Sequence, residues 1–169
     1  MAERPQALSA GTRLDGMIVE RLVAQGPVHA VYRASDPALG RSFAVKEYLP
    51  AGLCERGADG VVRPLEGQED AFATGLERFR EQARLAATLD HPGLAETIRL
   101  GEGHGTAWLV MRWYEGRPLQ DMLPADSGHD MARAMALQLM DAVQHLHEHG
   151  LVHRDIKPGN VIVRDDGSL

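Results

Sequence analysis

The order of elements in this sequence predicts an α+β fold: five mostly antiparallel strands with one helix inserted after the third, followed by a helical part. Three observations carry that prediction. Loose two-residue alternation with β-branched residues marks the strands, each bounded by turns rich in Gly, Pro or Asp. Residues 70–89 place their apolar side chains at helical spacing, and residues 130–149 are apolar on nearly all sides, which calls for burial from several directions. With 169 residues, 44% of them hydrophobic, the chain suits one domain with one sizeable core.

Taken in order, residues 1–11 (MAERPQALSAG) read as a flexible arm. RLDGMIVERLV, within residues 12–23, is the first strand; AQGP breaks it and VHAVYRA resumes as the second, making a hairpin. SDPALG is a turn, and RSFAVKEYL is the third strand, with alternating Phe43 and Val45, then Tyr48. Residues 49–70 form a long Gly- and Pro-rich connection, structured only in part. The helix at 70–89 lines up Phe79, Gln82, Ala86 and Leu89 on one stripe, and HPGL ends it. ETIRL and TAWLVMRW are two further strands joined by GEGHG. A short helix at 117–123, the longer one at 130–149 and a short strand at 161–163 complete the chain. There is no internal repeat and no low-complexity tract.

Composition narrows the function classes. A net charge of −6 and a pI near 5.7 give neither a nucleic-acid footprint nor a membrane-seeking surface. No apolar run approaches the roughly 20 residues that span a bilayer, and the first residues carry no apolar signal core. The single cysteine, Cys54, rules out an internal disulfide and fits a reducing compartment, so the expectation is a soluble cytoplasmic protein. One bias is sharper: of the 18 cationic residues only Lys46 and Lys157 are lysines. A compact, flexible point charge differs from a planar guanidinium where it must meet a phosphate.

Two features suggest chemistry that the spacing does not support. Gly101, Gly103 and Gly105 resemble a phosphate loop, but they sit between two strands with no helix after them, so a hairpin turn is their role. Five of the eight histidines lie between His129 and His153, and His145 and His149 are spaced to share a helix face. No Cys or carboxylate completes a metal site at suitable spacing, and a cationic helix end favoured by the C-terminal dipole accounts for them.

The terminal stretch HRDIKPGN, residues 153–160, is different. A carboxylate, a lysine two residues on and an asparagine five residues on, in a Pro-containing turn, suit a hydroxyl attacking a phosphate. Asp155 can accept the proton, Lys157 can neutralise the moving phosphoryl, and Asn160 can hold Mg²⁺ through its carbonyl oxygen. At this point the sequence resembles the eukaryotic-type protein kinases, whose catalytic loop reads H-R-D-L-x-x-x-N. Ile156 is a mild departure, and the lysine at 157 is similar to the Ser/Thr branch.

The resemblance implies an upstream lysine on the third strand in a V-A-I-K-like context. Phe43-Ala44-Val45-Lys46 supplies it, so both lysines of the chain fall where the kinase mechanism uses one. It further implies that Lys46 pairs with the α- and β-phosphates, that Ala44 roofs the adenine, that Val31 belongs to the nucleotide-binding set, and that Gly26 approaches the phosphates. Met111 then looks like the gatekeeper, with the backbones of Arg112 and Tyr114 offering hydrogen bonds to the base. Residues 12–114 would be the β-rich N-lobe and hinge, and residues 115–169 the first helices and catalytic loop of the α-helical C-lobe. KEYLP, a long insert and GLERF together resemble a bacterial subgroup.

The pattern also departs from the family. Alignment on Val31-Tyr32 puts Ala24, Gly26 and His29 at the three loop glycines, so only the middle one survives. Counting back from His91-Pro92 puts Gln82, with Glu81 beside it, where the family has the glutamate that pairs with the strand lysine. Helical phase favours Gln82 as the inward residue. No D-F-G or A-P-E occurs in the 169 residues. The resemblance therefore implies an ATP- and Mg²⁺-dependent Ser/Thr protein kinase acting on a protein hydroxyl, this chain being an incomplete catalytic domain expected to be inactive in isolation. The apolar helix at 130–149 would then expose a patch that invites self-association. The alternative is a pseudokinase or regulatory binding module without turnover, favoured by the poor glycine loop and Gln82 and opposed by the complete catalytic-loop set.

Overall fold

The computed structural model describes residues 4–122, 129–153 and 155–169. They divide into two units, residues 1–88 with 97–113, and residues 89–96 with 114–169.

The first unit is built on one antiparallel sheet of six strands. These are β1 (Arg13–Leu14), β2 (Met17–Gln25), β3 (His29–Asp36), β4 (Arg41–Tyr48), β7 (Thr97–Gly103) and β8 (Thr106–Arg112), in the order β1-β2-β3-β4-β8-β7. The two-residue β1 is the strand added to the five expected. Asp15-Gly16 joins β1 to β2 and His104-Gly105 joins β7 to β8, and all four residues have positive φ. Such turns match the right-handed twist of the strands they connect. The hairpin expected at GEGHG is present, but only His104-Gly105 make the turn; Gly101 and Gly103 lie within β7, paired with Trp108 and Thr106. Gly105 is required there twice over, because φ is +73° and a Cβ would lie 2.1 Å from the Val62 carbonyl oxygen. Gly105→Ala is expected to cost roughly 2 kcal/mol in urea denaturation.

Alternation along β3 and β4 gives the sheet two unlike faces. Ala30, Tyr32, Ala34, Val45 and Glu47 are fully buried on one of them. Residues 4–11 and the long connection after β4 cover that face. Leu8 donates its N–H to the Tyr32 hydroxyl, Tyr32 donates to Glu47 Oε2 at 2.8 Å, and Arg56 donates to both Glu47 oxygens at 2.7 and 2.8 Å. Arg56 also reaches the Gln6 and Gly60 carbonyls. The segment read as a flexible arm therefore buries Pro5 and Leu8 against the sheet. The connection folds as the hairpin β5 (Cys54–Arg56) and β6 (Val62–Pro64), and Val62 N–H bonds the His104 carbonyl.

Cys54 is buried in β5, and burial pushes its thiol pKa up to about 12, with Glu47 adding to the rise and Arg56 opposing it. The neutral thiol is then favoured in the folded state. Its contribution to stability is complete below the ordinary thiol pKa of about 8.5 and is lost as pH rises from there towards about 12. Cys54→Ala is expected to flatten the fall of stability between pH 8.5 and 10.5 in urea titrations, and native Cys54 should resist thiol reagents at pH 8.

Helix α1 (Glu69–Ala86) packs on the other face through Phe72, Leu76, Phe79 and Ala83. Phe72 and Phe79 sit 5.4 and 5.9 Å from the Tyr48 ring. Gly75 permits this approach, since a Cβ there would meet the Tyr48 hydroxyl at 2.0 Å. The stripe expected through Phe79, Gln82 and Ala86 is corrected by one position: Ala83 faces in, and both Gln82 and Glu81 are exposed. Phe72 and Phe79 set this phase, because both rings pack on Tyr48.

In the second unit, α2 (His129–Glu148) buries Met135, Ala142 and Leu146. Leu137 and Met140 on its other side are 53% and 59% exposed, so the all-round apolar helix is covered from one direction among the described residues. Gly150, at φ +72°, closes the helix end with its N–H on the His147 carbonyl. The short helix expected at 117–123 is instead strand β9 (Arg117–Pro118), paired with β10 (Ile162–Val163), then a 3-10 turn at Leu119–Asp121. Arg117 and Pro118 are drawn into pairing with Val163 and Ile162, and Leu119 N–H goes to the Val161 carbonyl, so the helical turn begins only at Leu119. Residue 123 lies outside the described residues. Among the described residues no helix is long and apolar enough to cross a membrane.

Candidate active site

On the sheet face opposite the sealed one, the register gathers the residues expected to meet a nucleotide. Ala24 pairs with Val31, Val31 with Lys46, and Ala44 with Met111. Directly paired residues in antiparallel strands project from the same face, and so do residues two apart. Val31, Ala44, Lys46 and Met111 therefore share one face, and all four are only half-buried. The result is a small apolar platform with one ammonium at its edge, suited to a flat aromatic base beside an anionic group.

Gly26 lies in the turn between β2 and β3. Its φ is not in the left-handed region, and a Cβ there would meet only the His29 carbonyl oxygen, at 3.8 Å. Nothing within the chain demands glycine at this position. Arg112 ends β8 and is exposed, while neighbouring Trp113 lies under the guanidinium of Arg33 at 5.0 Å and that of Arg21 at 5.8 Å.

In the second unit, residues 155–160 fold back on themselves. Lys157 Nζ is 2.9 Å from Asp155 Oδ1 and 3.1 Å from Oδ2. Asn160 Nδ2 donates to Asp155 Oδ2 and to the Asp155 carbonyl, both at 2.8 Å. Asp155 N–H donates to His153 Nδ1. Pro158 begins the 3-10 turn Pro158–Asn160 that makes this reversal, with Asn160 N–H on the Lys157 carbonyl. The β9–β10 pair holds the far side, where Val163 is buried. Asp155 and Lys157 remain 59% and 57% exposed, so the carboxylate is oriented without being sequestered. Tyr114 belongs to this unit; its hydroxyl accepts Glu96 N–H and its ring faces Arg164.

The Asn160 bonds use its Nδ2, which leaves the amide oxygen clear of them. That oxygen fits Mg²⁺, a hard cation that takes one or two protein oxygens and completes its shell with water and phosphate oxygens. Among the described residues no group of three His, Cys, Asp or Glu could hold a metal.

The structure brings Asp155, Lys157 and Asn160 together in one unit and Val31, Ala44, Lys46 and Met111 together in the other. Arg154, within the HRDIKPGN stretch, lies outside the described residues. Sequence reasoning missed the Glu47–Arg56–Tyr32 cluster behind the platform, for which no local motif exists.

Residues 18–169 match the protein kinase domain family. The chain is 35% identical over 167 residues to the serine/threonine-protein kinase PknA of Mycobacterium tuberculosis, covering 94% of this chain and 35% of PknA. It is 29% identical over 162 residues to the serine/threonine-protein kinase PrkC of Bacillus subtilis, covering 94% of this chain and 22% of PrkC. Among solved structures, the apo form of PpkA-294 is similar at a TM-score of 0.87 and 31% identity, covering 96% of this chain and 59% of that one. The chain spans about a third of the length of PknA, at 35%.

Proposed function

We propose that this chain, which belongs to the protein kinase family, supplies the nucleotide platform and the catalytic loop of a Ser/Thr protein kinase that moves the γ-phosphoryl of MgATP onto a protein hydroxyl. The observation that carries the reading is the hydrogen-bonded loop in which Lys157 and Asn160 both hold the Asp155 carboxylate. A carboxylate so oriented and still open to solvent can take the proton of an incoming hydroxyl. Lys157 beside it adds a positive charge where the phosphoryl passes, and Asn160 offers its oxygen to the metal.

Magnesium supplies charge neutralisation on the phosphates when bound; the chain's own residues bind, orient and accept the proton. Val31, Ala44 and Met111 would take the adenine, the Arg112 and Tyr114 backbones its edge, and Lys46 the α- and β-phosphates. The reading takes a protein with an accessible Ser or Thr as the substrate, and the cytoplasm, where ATP is available, as the compartment. The exposed side of α2 carries the expectation of self-association, which a concentration series by sedimentation equilibrium tests.

The rival reading, a binding module without turnover, draws on Ala24 and His29 at glycine positions and on the exposure of both Gln82 and Glu81. Thermal shift with MgATP separates the two at the binding step. The chain is expected to gain several degrees at saturating MgATP, and Lys46→Met is expected to lose at least tenfold in affinity. No response in the unmutated protein would favour the rival.

A further inference from the structure

We propose that His29 is a positioning residue that ties the loop at residues 25–29 to helix α1, so that the chain itself holds the backbone covering the nucleotide phosphates. The functional meaning rests on the kinase reading; the tether does not.

The loop is gripped from three sides. Within it, Gly26 N–H bonds the His29 carbonyl at 2.8 Å. On the β4 side, Leu49 N–H bonds the Val28 carbonyl at 2.9 Å and Ala51 N–H bonds the Pro27 carbonyl at 2.8 Å, extending the β3–β4 ladder past both strand ends. From residues 4–11, Arg4 Nη1 donates to the Gln25 carbonyl, and Gln25 Nε2 donates to the Pro5 carbonyl at 2.8 Å. The third grip is the His29 side chain. Its ring centroid lies 5.6 Å from that of Phe79 in α1 and 6.4 Å from that of Tyr48.

Composition points the same way. A loop with three glycines samples many backbone states and loses them when it closes on a ligand. Here Ala24 and His29 occupy two of those places and Pro27 fixes a further φ, so most of that freedom is already lost on folding. The departure that weakens the motif as a pattern therefore acts as pre-organisation. Because Phe79 sits in α1, a shift of the helix moves the ring on which His29 rests, and the loop follows.

Amide exchange followed by NMR tests this on the 169-residue chain. The Leu49 and Ala51 amides should be protected like that of Val45 in the unmutated protein. In His29→Gly they should exchange at least tenfold faster relative to Val45, and His29→Phe should restore them. Free-peptide exchange in the unmutated protein, or an unchanged ratio in His29→Gly, overturns the tether. If His29→Gly loses protection everywhere alike, Phe79→Leu, which keeps bulk and removes the facing ring, decides by the same ratio. MgATP titration then tests the role. His29→Gly should bind at least fivefold more weakly and His29→Phe like the unmutated chain. Equal affinity with a loosened loop overturns the positioning role. No binding by the unmutated chain refutes the nucleotide reading on which that role rests, and leaves the exchange ratio as its own result.

Discussion

Asp155→Asn is expected to lower phosphoryl transfer about 10³-fold in the protein that carries this chain, with MgATP affinity changed by less than about threefold. The amide keeps the size and the hydrogen-bonding position of the carboxylate, so Asn160 retains a partner and the turn at Pro158–Asn160 survives. What is lost is the capacity to take the hydroxyl proton, together with the charge that Lys157 approaches at 2.9 Å. Transfer of labelled phosphate from ATP to a generic protein substrate measures the rate, and nucleotide titration measures the binding. Activity above a tenth of the unmutated level would show that some other group serves as the base.

Arg56→Met should be the most damaging single change to the fold, at about 3–5 kcal/mol, because it leaves a buried carboxylate without its cation. Glu47 and Arg56 have side chains only 1% and 4% exposed. Two short bonds join them, and Tyr32 supplies a third to the same carboxylate. The double change Glu47→Leu with Arg56→Met removes both charges and is expected to be more stable than Arg56→Met alone, since no unpaired ion remains. Chemical denaturation of the three proteins decides it. A single-mutant loss below about 1 kcal/mol would mean that water reaches Glu47. The effect bears on function because Glu47 follows Lys46 on β4 and faces the opposite side. A shifted β4 displaces the ammonium at the edge of the platform.

How much of this was legible depended on how local each feature is. The bonded loop at 155–160 could be read directly, since Asp155, Lys157 and Asn160 lie within one turn and their mutual bonds follow from a Pro-initiated reversal. Lys46, Ala44 and Val31 could be placed on one face because strand alternation has a fixed period of two. The phase of α1 was misjudged by one residue. Gln82 and Ala83 differ by about 100° of helix, and only contact with Tyr48 chooses between them. The segment at 117–123 has helix-compatible residues, but pairing with Ile162 and Val163 overrides that preference.

By itself, then, the sequence determined the α+β order and the family and placed Asp155, Lys157 and Asn160 within one turn, all of which rest on short-range spacing. Tertiary structure alone decided how the sheet is closed on its far side and which face of α1 turns inward. It also decided that a depleted glycine loop is fastened by Leu49, Ala51 and Phe79. Those outcomes depend on contacts between residues up to 50 apart in the chain, as with Gln6 and Arg56. Such pairings carry no local signature, because the free energy that selects them exists only once the surfaces meet and exclude water.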